Sequence, residues 1–274
     1  LLVLAGSIFM LRPIRSQDSA WLPALPAVSG TPAAEGEIMT ETLIDVPQAA
    51  LPAGPVQILA GITELQPGVT ASLGGQVGTS SYFVEQGTVR ISHSGVEQIV
   101  HAGERWSAPV DGDWGVSNVG DDLARVVEVD VNDAINTSTA FIDASTTSKF
   151  SDPEGFADIF VIQAASTLPP GMGGVTLERM LLPPGAAVAP YAKQEFQWIG
   201  VAAGRVGATL EGDHLPFRWD SGEERTFGLF QTVPPIQPGT EMTLRNAHRV
   251  PLVLYRLTIV PDNVGGSSAT TPAP

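Results

Sequence analysis

Residues 51–68 read LPAGPVQILAGITELQPG, and residues 168–185 read LPPGMGGVTLERMLLPPG. Each segment opens with Leu-Pro-x-Gly, closes with Pro-Gly and encloses an alternating apolar stretch, and the two lie 117 residues apart. The same offset relates Gly87 to Gly204. Further on, Asn118 corresponds to Asn246 at an offset of 128, which places about eleven extra residues in the second copy, within 211–231. A domain-sized unit that occurs twice indicates a duplicated domain.

Within each copy the pattern is typical of β-strands. The segments ARVVEVDV and VLYRLTIV alternate apolar and polar residues with period two and are rich in β-branched side chains. Gly, Pro, Asn or Asp interrupts the pattern about every eight to twelve residues. The 29 glycines and 23 prolines also favour short strands joined by turns over long helices. The sequence therefore predicts an all-β chain of two small antiparallel barrels or sandwiches.

The turn residues of both copies resemble the two motifs of the cupin superfamily, G-x5-H-x-H-x3,4-E-x6-G and G-x5-P-x-G-x2-H-x3-N. The resemblance covers about residues 37–262 and implies two cupin-type double-stranded β-helix (jelly-roll) barrels in tandem. The segments with matching spacing are 68–87, 103–118, 185–204 and, more loosely, 238–246.

The resemblance also implies a divalent metal, which the family holds with three histidines and one glutamate per barrel. None of the residues at those positions here is a good ligand for iron, manganese, zinc or nickel. We therefore expect no metal and no cofactor. All of these residues except the glycine are candidate contacts of a small-molecule ligand. The positions are occupied by Gly74, Gln76, Ser80 and Trp114 in the first copy, and by Tyr191, Lys193, Gln197 and Met242 in the second.

No histidine occupies a motif position. His93 and His101 are expected at the surface or at a barrel rim. His214 lies in the acidic insertion of the second copy, which fits either a carboxylate–histidine metal site or a solvated loop. His248 follows the motif asparagine by two positions and is expected to face away from it.

Lys193 and the aromatic residues each allow two interpretations. An amine inside a barrel would act as a nucleophile or an anion contact, whereas pairing with Glu195 or another carboxylate, or a place at the rim, would make it structural. The aromatic residues are barrel core, or they line a small-molecule pocket. They are Trp106, Trp114, Tyr191, Phe196 and Trp198.

Charge and composition bound the partners and the location. The formal net charge of −15 disfavours nucleic acid and anionic membranes as partners. Without cysteine the chain has no disulfide or thiolate site.

The apolar run LLVLAGSIFML is shorter than the roughly 20 residues needed to span a bilayer, and it indicates a truncated signal peptide or N-terminal anchor. The protein is therefore expected outside the cytoplasm, secreted or membrane-anchored. The predicted segments are 1–20 (apolar segment), 21–36 (linker), 37–150 and 155–262 (barrels) and 263–274 (disordered tail).

Two hypotheses about function follow. The favoured one is an exported cupin-domain protein without the family's metal site, which is non-catalytic and serves as a small-molecule binder or a structural module. The alternative is a cupin-type enzyme, either a metal-dependent oxygenase with displaced ligands or a metal-free isomerase or lyase. Fold alone does not separate them, since one barrel type hosts many functions.

Overall fold

The computed structural model has β-strands as its regular structure, which confirms the predicted all-β class. The predictions for segments 1–36 and 263–274 lie outside the described residues. Within the part that the structure describes, there is no helix long and apolar enough to cross a membrane. The described residues are 37–52, 54–74, 78–93, 95–108, 113–133, 149–152, 155–192, 195–211, 220–236 and 239–262.

The strands recur in the same order in the two copies. The first copy contains β1 Met39–Leu51, β2 Gly54–Leu65, β3 Thr70–Gly74, β4 Gly78–Gln86, β5 Thr88–His93, β6 Val96–His101, β7 Arg105–Ala108, β8 Asp113–Asn118 and β9 Ala124–Asp133. The short strand β10 Lys149–Asp152 connects to the second copy. That copy contains β11 Phe156–Leu168, β12 Gly171–Leu182, β13 Ala187–Ala192, β14 Phe196–Ala203, β15 Val206–Glu211, β16 Glu224–Phe227, β17 Thr232–Ile236, β18 Glu241–Asn246 and β19 Leu252–Pro261.

Strand order identifies two jelly rolls. In barrel 1 the sheets run β10-β11-β2-β9-β4-β7 and β3-β8-β5-β6, and in barrel 2 they run β1-β12-β19-β14-β17 and β13-β18-β15-β16. The eight strands β2–β9 are thus divided between two antiparallel sheets in the order of a jelly roll, and β12–β19 repeat that order. The duplicated jelly-roll architecture predicted from the motif spacing is therefore confirmed.

The first strand of each copy is exchanged between the barrels. β1 pairs with β12 of the second copy, and β11 pairs with β2 of the first. The exchanged strand β1 also contacts the barrel of its own copy, since Arg105 donates hydrogen bonds from Nε and Nη2 to the carbonyl oxygens of Leu43 (2.6 Å) and Thr42 (2.8 Å). The boundaries at 37–150 and 155–262 stay a prediction, to which the structure adds that each barrel contains one strand from the other copy.

Three hydrophobic cores result from this arrangement. One fills barrel 1, one fills barrel 2, and the largest lies between the two barrels. The inter-barrel core includes Leu43 of β1 and Ile162 of β11, together with Val129 and Trp198. Alternation along a strand explains the division, because successive side chains point to opposite faces. In β9, Val127, Val129 and Val131 enter the inter-barrel core, whereas Ala124 and Val126 enter the core of barrel 1.

The motif asparagines hold equivalent turns in the two barrels. Asn118 donates from Nδ2 to the carbonyl oxygens of Leu65 (2.9 Å) and Asp122 (2.7 Å), and its Oδ1 accepts from the backbone N–H of Gly120 (2.9 Å). Asn246 makes the same three bonds, to Leu182, Val250 and His248. Since both side chains are buried, these bonds satisfy backbone groups that would otherwise be desolvated without a partner.

Candidate functional site

An aromatic cluster lies inside barrel 1, between its two sheets. The rings of Tyr82 (β4) and Trp106 (β7) stack with centroids 4.9 Å apart, and Trp106 meets Trp114 (β8) edge-on at 4.4 Å and 68°. The ring of His93 (β5) lies flat against Trp114, with centroids 3.9 Å apart and an interplanar angle of 16°. These four residues come from four different strands, so only the folded barrel brings them together.

A cavity of about 260 Å³ opens beside this cluster. Its walls are inward-facing residues, since Ile91 and Trp114 belong to the core of barrel 1 and Trp106 packs against that core. The rim is partly open, because Val96 of the edge strand β6 is 71% exposed. Small-molecule sites are concave and mostly apolar with a few polar groups, and this cavity has that character. Its lining residues are Ile91, His93, Val96, Gln98, Trp106 and Trp114.

The structure places two of the predicted residues of barrel 1 in its interior. Trp114 is buried, lines the cavity and forms part of the core. Ser80 is half-buried and shares the inner face of β4 with Tyr82 and Val84. Gln76 lies outside the described residues. The roles of Gln76, Ser80 and Trp114 as ligand contacts stay predictions.

In barrel 2 the described core residues at the corresponding place are mainly aliphatic. Met242 is fully buried and packs with Leu210, Leu244 and Leu254 in the core of that barrel. Gln197 is 2% exposed on the inner face of β14, and its Oε1 accepts no hydrogen bond from the described residues. Of the other two predicted residues, Tyr191 pairs through its backbone with Met242, and its side chain and Lys193 lie outside the description. Ligand contact by Tyr191, Lys193, Gln197 and Met242 also stays a prediction.

Carboxylates also face the interior of barrel 1, and the motif positions gave no signal for them. Glu128 and Asp130 alternate in β9 with valines of the inter-barrel core, so they lie on the inner face of the barrel. Glu128 is 5% exposed and pairs across strands with Tyr82, while Asp130 pairs with Ser80. The alternation of EVDVND predicts that these carboxylates share one face of the strand. Alternation alone does not tell whether that face is turned toward the inside of the barrel.

The structure describes three of the four histidines. His93 lines the cavity, His101 and His248 are exposed, and His214 lies outside the described residues. Among the described residues, no three histidine, aspartate or glutamate side chains are grouped closely enough to hold a metal ion.

A network of charged residues lies between the barrels. Arg179 of β12 contacts Glu85 of β4 and bonds to Glu41 of β1 at 2.6 Å, while Arg125 of β9 lies 2.7 Å from Glu64 of β2 and 3.6 Å from Glu85. Burial lowers the pKa of the Arg179 guanidinium, but the charges of Glu85 and Tyr255 and the hydrogen bond and charge of Glu41 together outweigh it, so the pKa is raised overall. These residues lie on the outer faces of the barrel sheets, whereas the cavity is lined by inner faces. The network therefore joins the two barrels and does not line the cavity.

Comparison with known proteins gives no match by sequence, neither to a protein-family model nor to a curated protein. By structure the chain is similar to AerE from Microcystis aeruginosa (11% identity, TM-score 0.44, 78% of this chain and 99% of the other). It is also similar to an oxalate decarboxylase from Bacillus subtilis (13% identity, TM-score 0.45, 80% of this chain and 75% of the other). A third similar structure is a cupin 2 conserved barrel domain protein from Leptotrichia buccalis (10% identity, TM-score 0.35, 84% of this chain and 91% of the other). At these identities the likeness is one of fold alone. Strand order and site together define a duplicated jelly-roll protein with an aromatic cavity in barrel 1.

Proposed function

We propose that this chain is an exported, metal-free protein of the cupin type that binds a small organic molecule in barrel 1. The observation that carries the proposal is the aromatic cavity of about 260 Å³, which opens at a rim beside Val96. Its volume lies just below the roughly 300–1,000 Å³ of ordinary ligand pockets, which suits a small ligand.

Among its described residues, barrel 2 does not repeat the aromatic cluster of barrel 1. The position equivalent to Trp114 is Met242, and the position equivalent to Tyr82 is Ile199, and both are fully buried in an aliphatic core. We therefore propose that barrel 1 binds the ligand and that barrel 2 has a structural role, with the exchanged strands holding the two together.

Filling the cavity tests the binding function. Val96→Trp places a ring at the rim without disturbing a buried residue, and aromatic residues are well tolerated in strands. Ligands from a thermal-shift screen of sugars, phenolics, amines and small acids should lose at least tenfold in affinity for this variant. Ile99→Trp is the matched control, because Ile99 is also exposed on β6 but faces outward. If no compound in the screen binds, or if both variants bind equally well, the binding function is wrong.

Metal loading separates this function from the enzyme alternative. Carboxamide, hydroxyl, indole and thioether groups at the described ligand positions supply little affinity for a divalent metal. We expect purified protein incubated with Fe(II), Mn(II), Zn(II) or Ni(II) to retain no stoichiometric metal after desalting. Retained metal that is lost in Gln76→Ala or Gln197→Ala would instead favour an oxygenase with displaced ligands.

Export rests on the N-terminal sequence and has its own test. Fused to an alkaline phosphatase that is active only outside the cytoplasm, residues 1–36 should produce phosphatase activity in intact cells. Replacing Leu4 and Ile8 by aspartate should abolish it, because charges interrupt the apolar run. Activity that is unchanged by these substitutions would contradict export through this segment.

A further inference from the structure

We propose that the cavity of barrel 1 selects an organic cation, such as a quaternary ammonium or a protonated amine. The inference rests on the binding function proposed above and assigns the chemical class of its ligand. It combines the aromatic walls of the cavity with the sign of the charges on the inner face of the same barrel.

The aromatic walls offer the geometry that attracts a cation. The ring planes of Trp106 and Trp114 meet at 68°, so they form a corner, and both rings line the cavity. The face of an aromatic ring carries the negative part of its quadrupole, and tryptophan attracts cations most strongly. Aromatic corners of this kind suit ammonium groups with bulky apolar substituents, which cannot be held by hydrogen bonds alone.

The carboxylates stand behind this aromatic wall. Glu128, Tyr82 and Trp106 are consecutive cross-strand partners on β9, β4 and β7, so Glu128 lies two strands from the cavity on the same inner face. In the next row Asp130 pairs with Ser80. Charges in a poorly solvated interior act over longer distances than in water, so buried Glu128 favours a positively charged occupant over a neutral or negative one.

Barrel 2 provides an internal comparison. The residue equivalent to Glu128 is Arg256, which forms an ion pair with Glu178 at 2.5 Å, and the residue equivalent to Asp130 is Thr258. At these described positions the two copies differ in charge as well as in aromatic residues, and both differences favour a cation in barrel 1.

Choline and its uncharged carbon isostere, 3,3-dimethylbutan-1-ol, test the inference with nearly identical shapes. Titration calorimetry on the full chain should give a dissociation constant for choline at least tenfold lower than for the isostere. The variants Glu128→Gln and Asp130→Thr should each weaken choline binding about tenfold and leave binding of the isostere unchanged. The second variant introduces the residue that barrel 2 already has at that position, which protects the test against a folding failure.

Glu97→Gln is the matched control, since it removes the same charge from the outward, exposed face of β6 and should leave choline binding unchanged. Equal affinity for choline and the isostere, or loss of choline binding in the control variant, would overturn the cation preference. So would failure of both probes to bind. If the screen then yields a neutral or anionic ligand whose binding Val96→Trp abolishes, the binding function stands and only its charge preference is wrong.

Discussion

Arg179 is a buried arginine that joins the two barrels through ion pairs. It is 4% exposed and lies between Glu85 of barrel 1 and Glu41 of the exchanged strand β1. Buried ion pairs contribute little net stability when complete, because desolvation offsets the attraction. Removing one partner is different, since the other charge then stays buried without compensation.

We therefore expect Arg179→Met to lower the free energy of unfolding by about 3–5 kcal/mol. The double variant Arg179→Met with Glu85→Leu should recover much of this loss, because the buried Glu85 charge is gone, Glu41 is partly exposed to water and Arg125 keeps Glu64 as its partner. Urea denaturation followed by circular dichroism measures both. Arg245→Met is the control, since the Arg245–Glu224 pair is exposed and its removal should have almost no effect. Equal effects of the two arginine variants would contradict the role given to the network.

Tyr255 makes stability depend on pH in the alkaline range. Burial, and then the charge of Glu85, raise the pKa of its phenol well above the usual 10.0. Because the pKa in the folded state exceeds that in the unfolded state, the contribution is complete below about pH 10 and is lost as the pH rises. The loss approaches about 1.4 kcal/mol per pH unit for one such group.

Unfolding in urea between pH 9 and pH 11 should therefore show a decline in stability that begins near pH 10. Tyr255→Phe should make that decline shallower, since phenylalanine has no proton to lose. An unchanged slope in the variant would show that other groups control the alkaline limit.

At the scale of the strands, Gly87 shows how a turn controls the packing of neighbouring elements. Gly87 lies in the turn between β4 and β5 and has a φ of +83°. A Cβ atom at this position would lie 2.9 Å from Cα of Ala124 in β9. Gly95, in the turn between β5 and β6, has a similar φ of +80° but open space around it. The two glycines thus share a backbone conformation and differ in crowding.

Gly87→Ala and Gly95→Ala separate these two effects. Both variants should lose about 1–2 kcal/mol, because an L-residue is strained at positive φ. Gly87→Ala should lose a further 1–3 kcal/mol or so, because β9 must move to admit the methyl group. Thermal unfolding measures the difference. Equal losses would mean that the contact with Ala124 relaxes without cost.

At the scale of the molecule, the exchanged strands make the two barrels depend on one another. β1 completes a sheet of barrel 2, β11 completes a sheet of barrel 1, and the largest core lies between them. Neither barrel can unfold without exposing that core and leaving the edge of a partner sheet unpaired. Cooperative unfolding of the two barrels is the expected consequence.

We expect differential scanning calorimetry to show one endotherm whose calorimetric and van't Hoff enthalpies agree. Leu43→Ala, which opens the inter-barrel core in the exchanged strand β1, should cost about 2–5 kcal/mol. It should move the whole transition to lower temperature. Two separate endotherms, in the wild type or in this variant, would show that the barrels are independent units.

The sequence by itself determined the repeat, the strands and the turns. Glycines with positive φ, such as Gly68 and Gly185, and the paired asparagines Asn118 and Asn246 act locally, so their spacing carries the jelly-roll fold. The same spacing showed that imidazole and carboxylate are missing from the family's ligand positions.

Only the tertiary structure decided which strands are exchanged and which faces are turned inward. β1 and β11 have equivalent places in the repeat, and no local signal separates pairing within a copy from pairing between copies. Period-two alternation likewise predicted that Val129 and Glu128 lie on opposite faces, but it did not tell which face is inside the barrel. Because the second barrel covers the outer face of β9, the valines there are buried between the barrels, and the carboxylates face the interior beside the aromatic cluster.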